Sequence, residues 1–312
     1  MLPGKVHAEL IKQKAIELGF DACGITTPEP LEDERSRLLE WLAQGNHADM
    51  GWMENHLEKR LDPSLLVPGS KSVIVVLHNY YFPGAGAGKD NPVISRYARG
   101  RDYHKVMKKM LLKLKQFIHD EIHPVEGRAF VDSAPVPERA LAKRAGLGWI
   151  GKNSMLINRR LGSYVFIGEL IIDIELPPDN PHISDFCGTC TRCIDTCPTG
   201  AITQPYVVDA RKCISWWTIE YKGNEITGHD PEDFQYRIFG CDICQEVCPW
   251  NRKAPVSREE EYVPVPDLQK MTLKDWETIG EEEFKTRFGH TPLMRAGFAG
   301  IRRNLKFVSG SR

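Results

Sequence analysis

Eight of the nine cysteines of this 312-residue chain lie within one stretch, residues 187–248. The first four follow the spacing C-x2-C-x2-C-x3-C-P, three others follow C-x2-C-x3-C-P, and one lies alone between the two runs. Their positions are Cys187, Cys190, Cys193 and Cys197, then Cys213, then Cys241, Cys244 and Cys248. A pattern of this kind constrains the fold strongly, because runs of closely spaced thiols are typical of bound metal clusters.

The spacing predicts two [4Fe-4S] clusters. In bacterial two-cluster ferredoxins, each complete run provides three thiolates to one cluster and its fourth to the other. The second run here is one cysteine short, and Cys213 can complete it. The predicted ligand sets are Cys187, Cys190, Cys193 and Cys248 for one cluster, and Cys197, Cys213, Cys241 and Cys244 for the other. Only Cys23 remains, and its apolar surroundings FDACGI predict a small core residue.

Two other interpretations of the cysteines are weaker. Structural zinc prefers paired knuckles that close one tetrahedral site, whereas a run of four cysteines ending in Cys-Pro is poorly suited to that geometry. A disulfide framework is typical of small secreted domains. Residues 1–19 have the pattern of an amphipathic helix without an apolar signal region, so we expect reduced thiols and a cytoplasmic protein.

Length and charge narrow the class further. A chain of 312 residues is expected to form about two domains with a buried core, and no segment approaches the roughly 18 apolar residues of a membrane helix. The net charge of −1 carries no signal for nucleic acid. Residues 96–115, however, hold eight Lys or Arg and one Asp. This basic run is either a solvated helix face or a surface that binds a polyanion.

Helix and strand patterns alternate over the first 180 residues and predict an α/β or α+β domain. Helical spacing is found in residues 1–19, 31–44, 103–122 and 137–146. Strand patterns are found in residues 71–82, 128–131, 154–158 and 163–176, and the last two are expected to form a hairpin. The Gly-rich run at residues 84–92 is predicted to be a linker. The predicted domains are residues 1–182, 183–255 and 256–312, the last one a helical extension.

Three polar groups in the first domain could bear chemistry. Asp132 follows a short strand, where a partly buried carboxyl would have a raised pKa and could deliver a proton; a turn-forming aspartate is the alternative. The run AGLGWIGKN at residues 145–153 either lets backbone approach a large ligand or forms a tight turn. His104, at the start of the basic helix, either binds phosphate or only decorates the helix cap. Neither a dinucleotide-binding nor a P-loop motif is present.

The cysteine pattern together with VDSAPVPERALAKRAGLGWIGKN and KRLDPSLLVPGSKSVIVV resembles the epoxyqueuosine reductases, iron–sulfur enzymes that depend on cobalamin. The likeness covers about residues 5–255. It implies a nitroreductase-like α/β domain that binds cobalamin, followed by a ferredoxin-like module with two clusters and a short helical tail. It also implies an oxidoreductase that reduces epoxyqueuosine at the wobble position of tRNA to queuosine, with Co(I) cobalamin supplied with electrons by the clusters.

The resemblance also implies roles for particular residues. Asp132 matches the proton donor. The cobalamin contacts implied are Arg60, Ser95, Asp132, Leu156, Ile167, Ser215 and Asp242. The positions implied for substrate and tRNA are His104, Arg139 and Lys222. The partners expected are tRNA and an external flavodoxin or ferredoxin, and the chain is expected to be a monomer.

Two departures from the family qualify these expectations. Many members continue into HEAT-type repeats after the ferredoxin module, whereas this sequence continues for about one helical pair, so tRNA recognition is expected to rest on the basic helix, Lys222 and Arg302-Arg303. The motif D-x-H-x2-G is also missing, because Met107 stands where glycine would be. The expected corrin is therefore base-off without a histidine ligand. A reductive dehalogenase and a plain ferredoxin-type electron carrier remain the alternative functions.

Overall fold

The computed structural model describes residues 3–84, 91–182 and 184–310. Most of the predicted Gly-rich linker, residues 85–90, lies outside this part of the chain. In chain order, the elements of the first part are α1 (Pro3–Glu17), β1 (Ala22–Thr26), α2 (Glu32–Ala43), α3 (Leu57–Leu61), β2 (Ser72–Asn79), β3 (Val93–Ile94), α4 (Tyr103–Glu121), β4 (Gly127–Phe130), α5 (Glu138–Arg144), β5 (Trp149–Ile150), β6 (Leu156–Ile157) and β7 (Val165–Ile172).

Short elements dominate the second part of the chain. They are α6 (Arg192–Asp195), β8 (Ile202–Gln204), β9 (Val207–Val208), a π-helical turn (Trp216–Glu220), β10 (Arg237–Phe239), α7 (Ile243–Glu246), α8 (Pro266–Lys270), α9 (Leu273–Thr278), α10 (Glu281–Phe288) and α11 (Gly297–Ser309). The mixed α/β first part, the cysteine module and the helical tail follow one another in the predicted order.

An antiparallel sheet in the order β1-β2-β7-β4 forms the centre of the first part. Every residue of β2 and β7 is buried, because helices cover both faces of the sheet. On one face α1 and α4 pack against the side chains of Ile74, Val76 and Leu170. On the other face α5 packs against Val75 and Ile167. The sheet therefore has two separate apolar layers, one on each side.

Most of the predicted elements are confirmed, and one prediction is wrong. The predicted helices at residues 1–19, 31–44 and 103–122 correspond to α1, α2 and α4. The expected hairpin between β6 and β7 is reduced to a single bridge between Asn158 and Gly162. Instead, β6 pairs with β5, and β7 lies between β2 and β4. The long strand can bury both of its faces only in the middle of the sheet, which overrides the local turn signal.

A second core joins the cysteine module to the helical extension. Phe234, Ile238 and Phe239 pack against Trp276 and Leu305 of α9 and α11. Strand β10 also pairs in parallel with β3 of the first part. This core therefore crosses the boundary predicted at residue 255. No helix in the described part of the chain is long and apolar enough to cross a membrane.

Candidate active site

The thiols of the first predicted ligand set, Cys187, Cys190, Cys193 and Cys248, influence one another electrostatically. Burial raises the pKa of the Cys193 thiol, and the neighbouring thiols of Cys187, Cys248 and Cys190 raise it further. Burial raises the pKa of Cys248 as well, and Cys190 adds to the effect. Cys248 is buried beside Trp149, with Cys187 packed against the same cluster. The four thiols proposed for one cluster are therefore linked by their electrostatic effects on one another.

The other four thiols form a second group. Burial raises the pKa of Cys241 to about 12, with a further contribution from Cys213. Cys213 is in turn influenced by Cys197, and its own pKa is raised mainly by burial. The pKa of Cys244 is raised well above its usual value by burial, with Cys241 and Cys213 adding to it. The interactions between thiols stay within each group of four, as the spacing predicts.

The number and type of the ligands fit iron–sulfur clusters. Among the described residues, no three His, Cys, Asp or Glu side chains converge closely enough to bind one metal ion. A [4Fe-4S] cluster is held by four cysteine thiolates, and each of the two groups supplies four. The residues present therefore fit two clusters.

The glycine-rich run at residues 145–153 connects the first part of the chain to both groups of thiols. Lys152 Nζ donates hydrogen bonds to the carbonyl oxygens of Gly188 at 2.6 Å and Cys190 at 3.0 Å. Asn153 is buried, its Nδ2 has no partner among the described residues, and its side chain faces the Cys244 thiol. The run forms the β5 hairpin and fixes the cysteine loops rather than standing open to a ligand.

Asp132 follows β4 directly, at the predicted end of the strand. Its φ of +44° lies in the left-handed region, which a residue other than glycine adopts only when its contacts hold it there. The Asp132 N–H donates a 2.6 Å hydrogen bond to Glu138 Oε1. The Tyr103 hydroxyl donates a 2.6 Å hydrogen bond to Asp132 Oδ2. Tyr103 is buried and stacks on Phe166 at 4.0 Å, so a rigid group orients the carboxyl.

The expected burial of Asp132 is not observed. Its side chain is 62% exposed, because the turn carries it out beyond the end of β4. Burial, together with the charge of Asp132, raises the pKa of the neighbouring, half-buried Glu138 to about 8. A third carboxyl, Glu169 of β7, is fully buried beneath them, and burial raises its pKa well above the usual value.

His104 lies between two carboxylates. Its Nδ1 is 2.7 Å from Asp102 Oδ1, and its Nε2 is 3.9 Å from Asp132 Oδ2. The ring stacks on Tyr103 at 4.1 Å. Burial lowers the pKa of His104, but Asp102 and Asp132 more than offset this, so the net direction is upward. The structure therefore places His104 at the predicted acid as well as at the helix cap.

The residues proposed for cobalamin on the first domain include a buried cation. Arg60 of α3 is only 8% exposed, and its Nε has no hydrogen-bond partner among the described residues. Its guanidinium donates to the Trp52 carbonyl at 3.2 Å and faces Glu138. An unpaired buried N–H is costly, so it fits the phosphate or amide groups of a cobalamin. Leu156 and Ile167 lie in one apolar layer of the sheet.

The remaining residues proposed for cobalamin lie on the side of the cysteine module. The Ser95 N–H donates to the Phe239 carbonyl at 2.8 Å, and Asp242 accepts a 2.8 Å hydrogen bond from the Arg96 N–H. The Ser215 N–H faces the Cys213 thiol.

Tyr97 connects the two groups of proposed cobalamin residues. Burial raises the pKa of Tyr97, and the charges of Asp132 and Asp242 raise it further. The charges of the proposed acid and of Asp242 in the cysteine module therefore both act on this ring.

The proposed contacts for tRNA are only partly free. Lys222 donates to the Arg295 carbonyl at 2.8 Å and to the Ile219 carbonyl at 3.2 Å, so its ammonium group already forms hydrogen bonds within the protein. Arg139 is exposed and donates to the Ser154 carbonyl. By contrast, the basic side chains of α4 are exposed along an open groove. The residues that line it are Lys105, Lys108, Lys109, Leu112, Lys113 and Gln116.

Sequence patterns did not indicate three residues at this site. Tyr103 and Glu138 hold Asp132 in place, and Arg295, which forms an ion pair with Glu220 at 2.6 Å, faces Asp132 from the helical extension. Glu138 had a detectable signal, because it begins the helix that follows the predicted acid. The other two come from distant parts of the chain and meet Asp132 only in the folded protein.

Comparison with known proteins agrees with this geometry. Residues 60–133 match the sequence family described as epoxyqueuosine reductase QueG, DUF1730. Residues 186–251 match the 4Fe-4S double cluster binding domain. The second match supports two iron–sulfur clusters in the cysteine module.

Similar proteins cover nearly the whole chain. An epoxyqueuosine reductase of Cellulophaga algicola is 51% identical over 97% of this chain and 98% of its own. A crystal structure of epoxyqueuosine reductase with an epoxyqueuosine-modified tRNA-Tyr stem loop matches with a TM-score of 0.89 and 33% identity, over 96% of this chain and 80% of that one. The Bacillus subtilis enzyme, described with its catalytic aspartate loop swung out of the active site, matches with a TM-score of 0.87 and 32% identity, over the same shares of the two chains. The chain belongs to the epoxyqueuosine reductase family.

Proposed function

We propose that this protein reduces epoxyqueuosine at position 34 of tRNA to queuosine, with Asp132 as the proton donor. The observation that carries the proposal is the carboxyl of Asp132, which the Tyr103 hydroxyl holds at 2.6 Å and whose charge acts on Tyr97 together with that of Asp242. A related enzyme is described with an epoxyqueuosine-modified tRNA stem loop, which supports the same substrate here.

The electrons are proposed to come from an external flavodoxin or ferredoxin and to pass through the two clusters. Each cluster is assigned one of the two groups of four thiols. When bound, reduced cobalamin supplies electrons at the epoxide. The residues proposed to hold it are Arg60, Ser95, Asp132, Leu156, Ile167, Ser215 and Asp242. The buried Arg60 is the strongest of these assignments, because its Nε lacks a partner among the described residues.

The role of Asp132 follows from the chemistry of the epoxide. Reductive opening of a C–O bond leaves the oxygen anionic, and a nearby acid lowers this cost, typically by ~10²–10⁴ in rate. Tyr103 orients the carboxyl and Glu138 fixes its backbone. His104 and Arg139 are proposed to line the pocket that receives the base.

The groove of lysines on α4 is proposed to contact tRNA phosphates. The wobble base is weakly stacked in its loop, so turning it out toward Asp132 costs little. Because phosphate contacts release bound counterions, the affinity should fall as salt rises. Lys222 is proposed to contribute through the segment around Arg295 that it fixes.

The test of the function combines composition and turnover. Protein purified anaerobically should contain about eight irons, bind cobalamin, and convert an epoxyqueuosine-modified stem loop to queuosine, as detected by mass spectrometry after digestion. Asp132→Asn keeps the size of the side chain and should lose at least ~100-fold in rate. Eight irons without cobalamin binding or turnover would instead indicate an electron carrier. Full turnover by Asp132→Asn would refute only the assignment of the acid.

The tRNA surface has a separate test. Replacing Lys108, Lys109 and Lys113 with Gln should weaken stem-loop binding and reduce the slope of log affinity against log salt by roughly 2. The matched control replaces three exposed lysines that do not line the groove, Lys253, Lys270 and Lys274. Equal slopes for the two triple variants would show that the lysines of α4 form an ordinary solvated helix face and do not contact tRNA.

A further inference from the structure

The proposed reaction requires two protons in each turnover. Converting an epoxide to an alkene takes up two electrons and two protons, breaks two C–O bonds and releases one water. Asp132 has a single carboxyl and can deliver one proton at a time. Its side chain is 62% exposed, and it must be protonated again before the second C–O bond breaks. That proton comes either from solvent directly or from a neighbouring side chain.

His104 is in the position to fill this role. Its Nε2 lies 3.9 Å from Asp132 Oδ2, a gap that a rotation of the exposed carboxyl can close or one water can bridge. Its Nδ1 lies 2.7 Å from Asp102 Oδ1, so the other nitrogen points at Asp132. The flat stack on the buried Tyr103 fixes the plane of the ring. The side chain is 39% exposed, which gives it access to protons from solvent.

The charges around His104 favour its protonated form. Asp102 and Asp132 face its two nitrogens from the helix cap and from the turn after β4. Lys105 acts on Asp102, and Asp132 is itself faced by Glu138 of α5, Tyr97 before α4 and Arg295 of the helical extension. Asp102 places its charge at Nδ1 throughout, and Asp132 adds a second carboxylate at Nε2 once it has delivered its proton. An imidazolium held in this way can give up a proton and regain it from solvent.

We infer that His104, oriented by Asp102, protonates Asp132 again after Asp132 has delivered its first proton, and so supplies the second proton of the reduction. The inference rests on the proposed function. Asp132 first protonates the epoxide oxygen as one C–O bond breaks and becomes a carboxylate. The imidazolium then transfers its Nε2 proton to this carboxylate. The neutral ring keeps its Nδ1 proton and donates it in a hydrogen bond to Asp102. Asp132 delivers this proton as the second C–O bond breaks and water leaves, while both electrons come from the iron–sulfur path.

Asp102 also has a structural task, which the test must separate from its effect on His104. Its Oδ1 accepts the His104 backbone N–H at 3.1 Å and caps α4. Asp102→Asn keeps an oxygen acceptor for this cap but removes the negative charge. Titration of the His104 ring by NMR needs neither cofactor nor substrate. We expect Asp102→Asn to lower the pKa of His104, and an unchanged titration would overturn the orienting role.

The main experiment measures single turnovers of the loaded enzyme with an epoxyqueuosine-modified stem loop across the pH range. At saturating stem loop, His104→Gln should be at least ~10-fold slower at neutral pH and should recover rate when free imidazole is added. His123→Gln, an exposed histidine just beyond α4, is the matched control and should behave as the wild type. Recovery by imidazole is the result that a purely structural role cannot produce.

Three results would count against the inference. His104→Gln with the rate and pH profile of the wild type would overturn it, and so would a loss of stem-loop affinity that accounts for the whole change in rate. A slow variant that imidazole does not restore would also overturn it. A wild-type protein that leaves epoxyqueuosine intact would instead refute the proposed function, and the inference with it.

Discussion

Glu169 offers the sharpest test of how burial in this sheet affects an ionisable side chain. It lies in the middle of β7, paired with Val75 of β2 on one side and Phe130 of β4 on the other. It has 0% exposure, and neither carboxyl oxygen has a hydrogen-bond partner among the described residues. Burial raises the pKa of Glu169 well above 4.5, and the charges of Glu138 and Asp132 raise it further. We therefore expect a neutral carboxyl in the folded protein.

The sign of the pH dependence follows from this pKa. In the unfolded chain the carboxyl ionises above pH 4.5, whereas in the folded protein it keeps its proton. The contribution of Glu169 to the free energy of unfolding is therefore complete below pH 4.5, its pKa in the unfolded chain, and is lost as the pH rises. Each pH unit costs about 1.4 kcal/mol while the folded carboxyl stays protonated. Between pH 4.5 and neutral pH, the free energy of unfolding should fall by roughly 3 kcal/mol through this one residue.

Glu169→Gln isolates this effect. The amide has nearly the same shape, cannot ionise in either state, and is left as poorly hydrogen-bonded as the neutral carboxyl, so the burial penalty changes little. The variant should be roughly 3 kcal/mol more stable than the wild type at neutral pH and about equal to it near pH 4.5. Glu175→Gln is the matched control, because Glu175 lies just beyond the same strand and is exposed.

The assay is urea unfolding under anaerobic conditions, with the clusters in place, at several values between about pH 5 and about pH 8. Infrared difference spectra should also show a protonated carboxyl at neutral pH that is missing from Glu169→Gln. Equal pH dependence in the wild type and Glu169→Gln would refute the reasoning. It would mean that Glu169 is ionised in the fold, or that it gains a partner there.

Three further predictions concern other sites. His78 is buried between Asp21 and Glu259, whose charges outweigh burial and raise its pKa. The stabilisation from these two carboxylates is complete below about pH 6.5 and is lost as the pH rises. His78→Gln should therefore lower the free energy of unfolding in urea by roughly 2 kcal/mol at low pH and by less at high pH. Glu138→Ala should slow turnover by ~10-fold by releasing the Asp132 turn, whereas Glu138→Gln, which keeps an acceptor, should stay near wild type in the same assay. Burial raises the pKa of Cys23 to about 12, so alkylation of the native protein should spare it and Cys23→Ala should keep the full iron content.

Short-range patterns were enough to predict much of the architecture. The helix of residues 103–122 was predictable because its apolar side chains recur every three or four positions, and the buried strand β2 because β-branched residues follow one another. The two groups of thiols were predictable from spacing, since two-cluster ferredoxins share the cysteines of each run between the two clusters. The pairing of β6 was not predictable, because strand partners are chosen by burial over the whole sheet.

The sequence by itself determined the order of the elements, the cysteine ligand sets and the position of Asp132 at a strand end. Only the tertiary structure decided what surrounds that carboxyl. Tyr103, His104 and Glu138 reach it from two different helices, and Glu169 lies beneath it on a third element. The reason is physical: a ligand run is a local property of the chain, whereas exposure, charge and hydrogen bonding depend on residues that are distant in sequence and meet only when both faces of the sheet are covered.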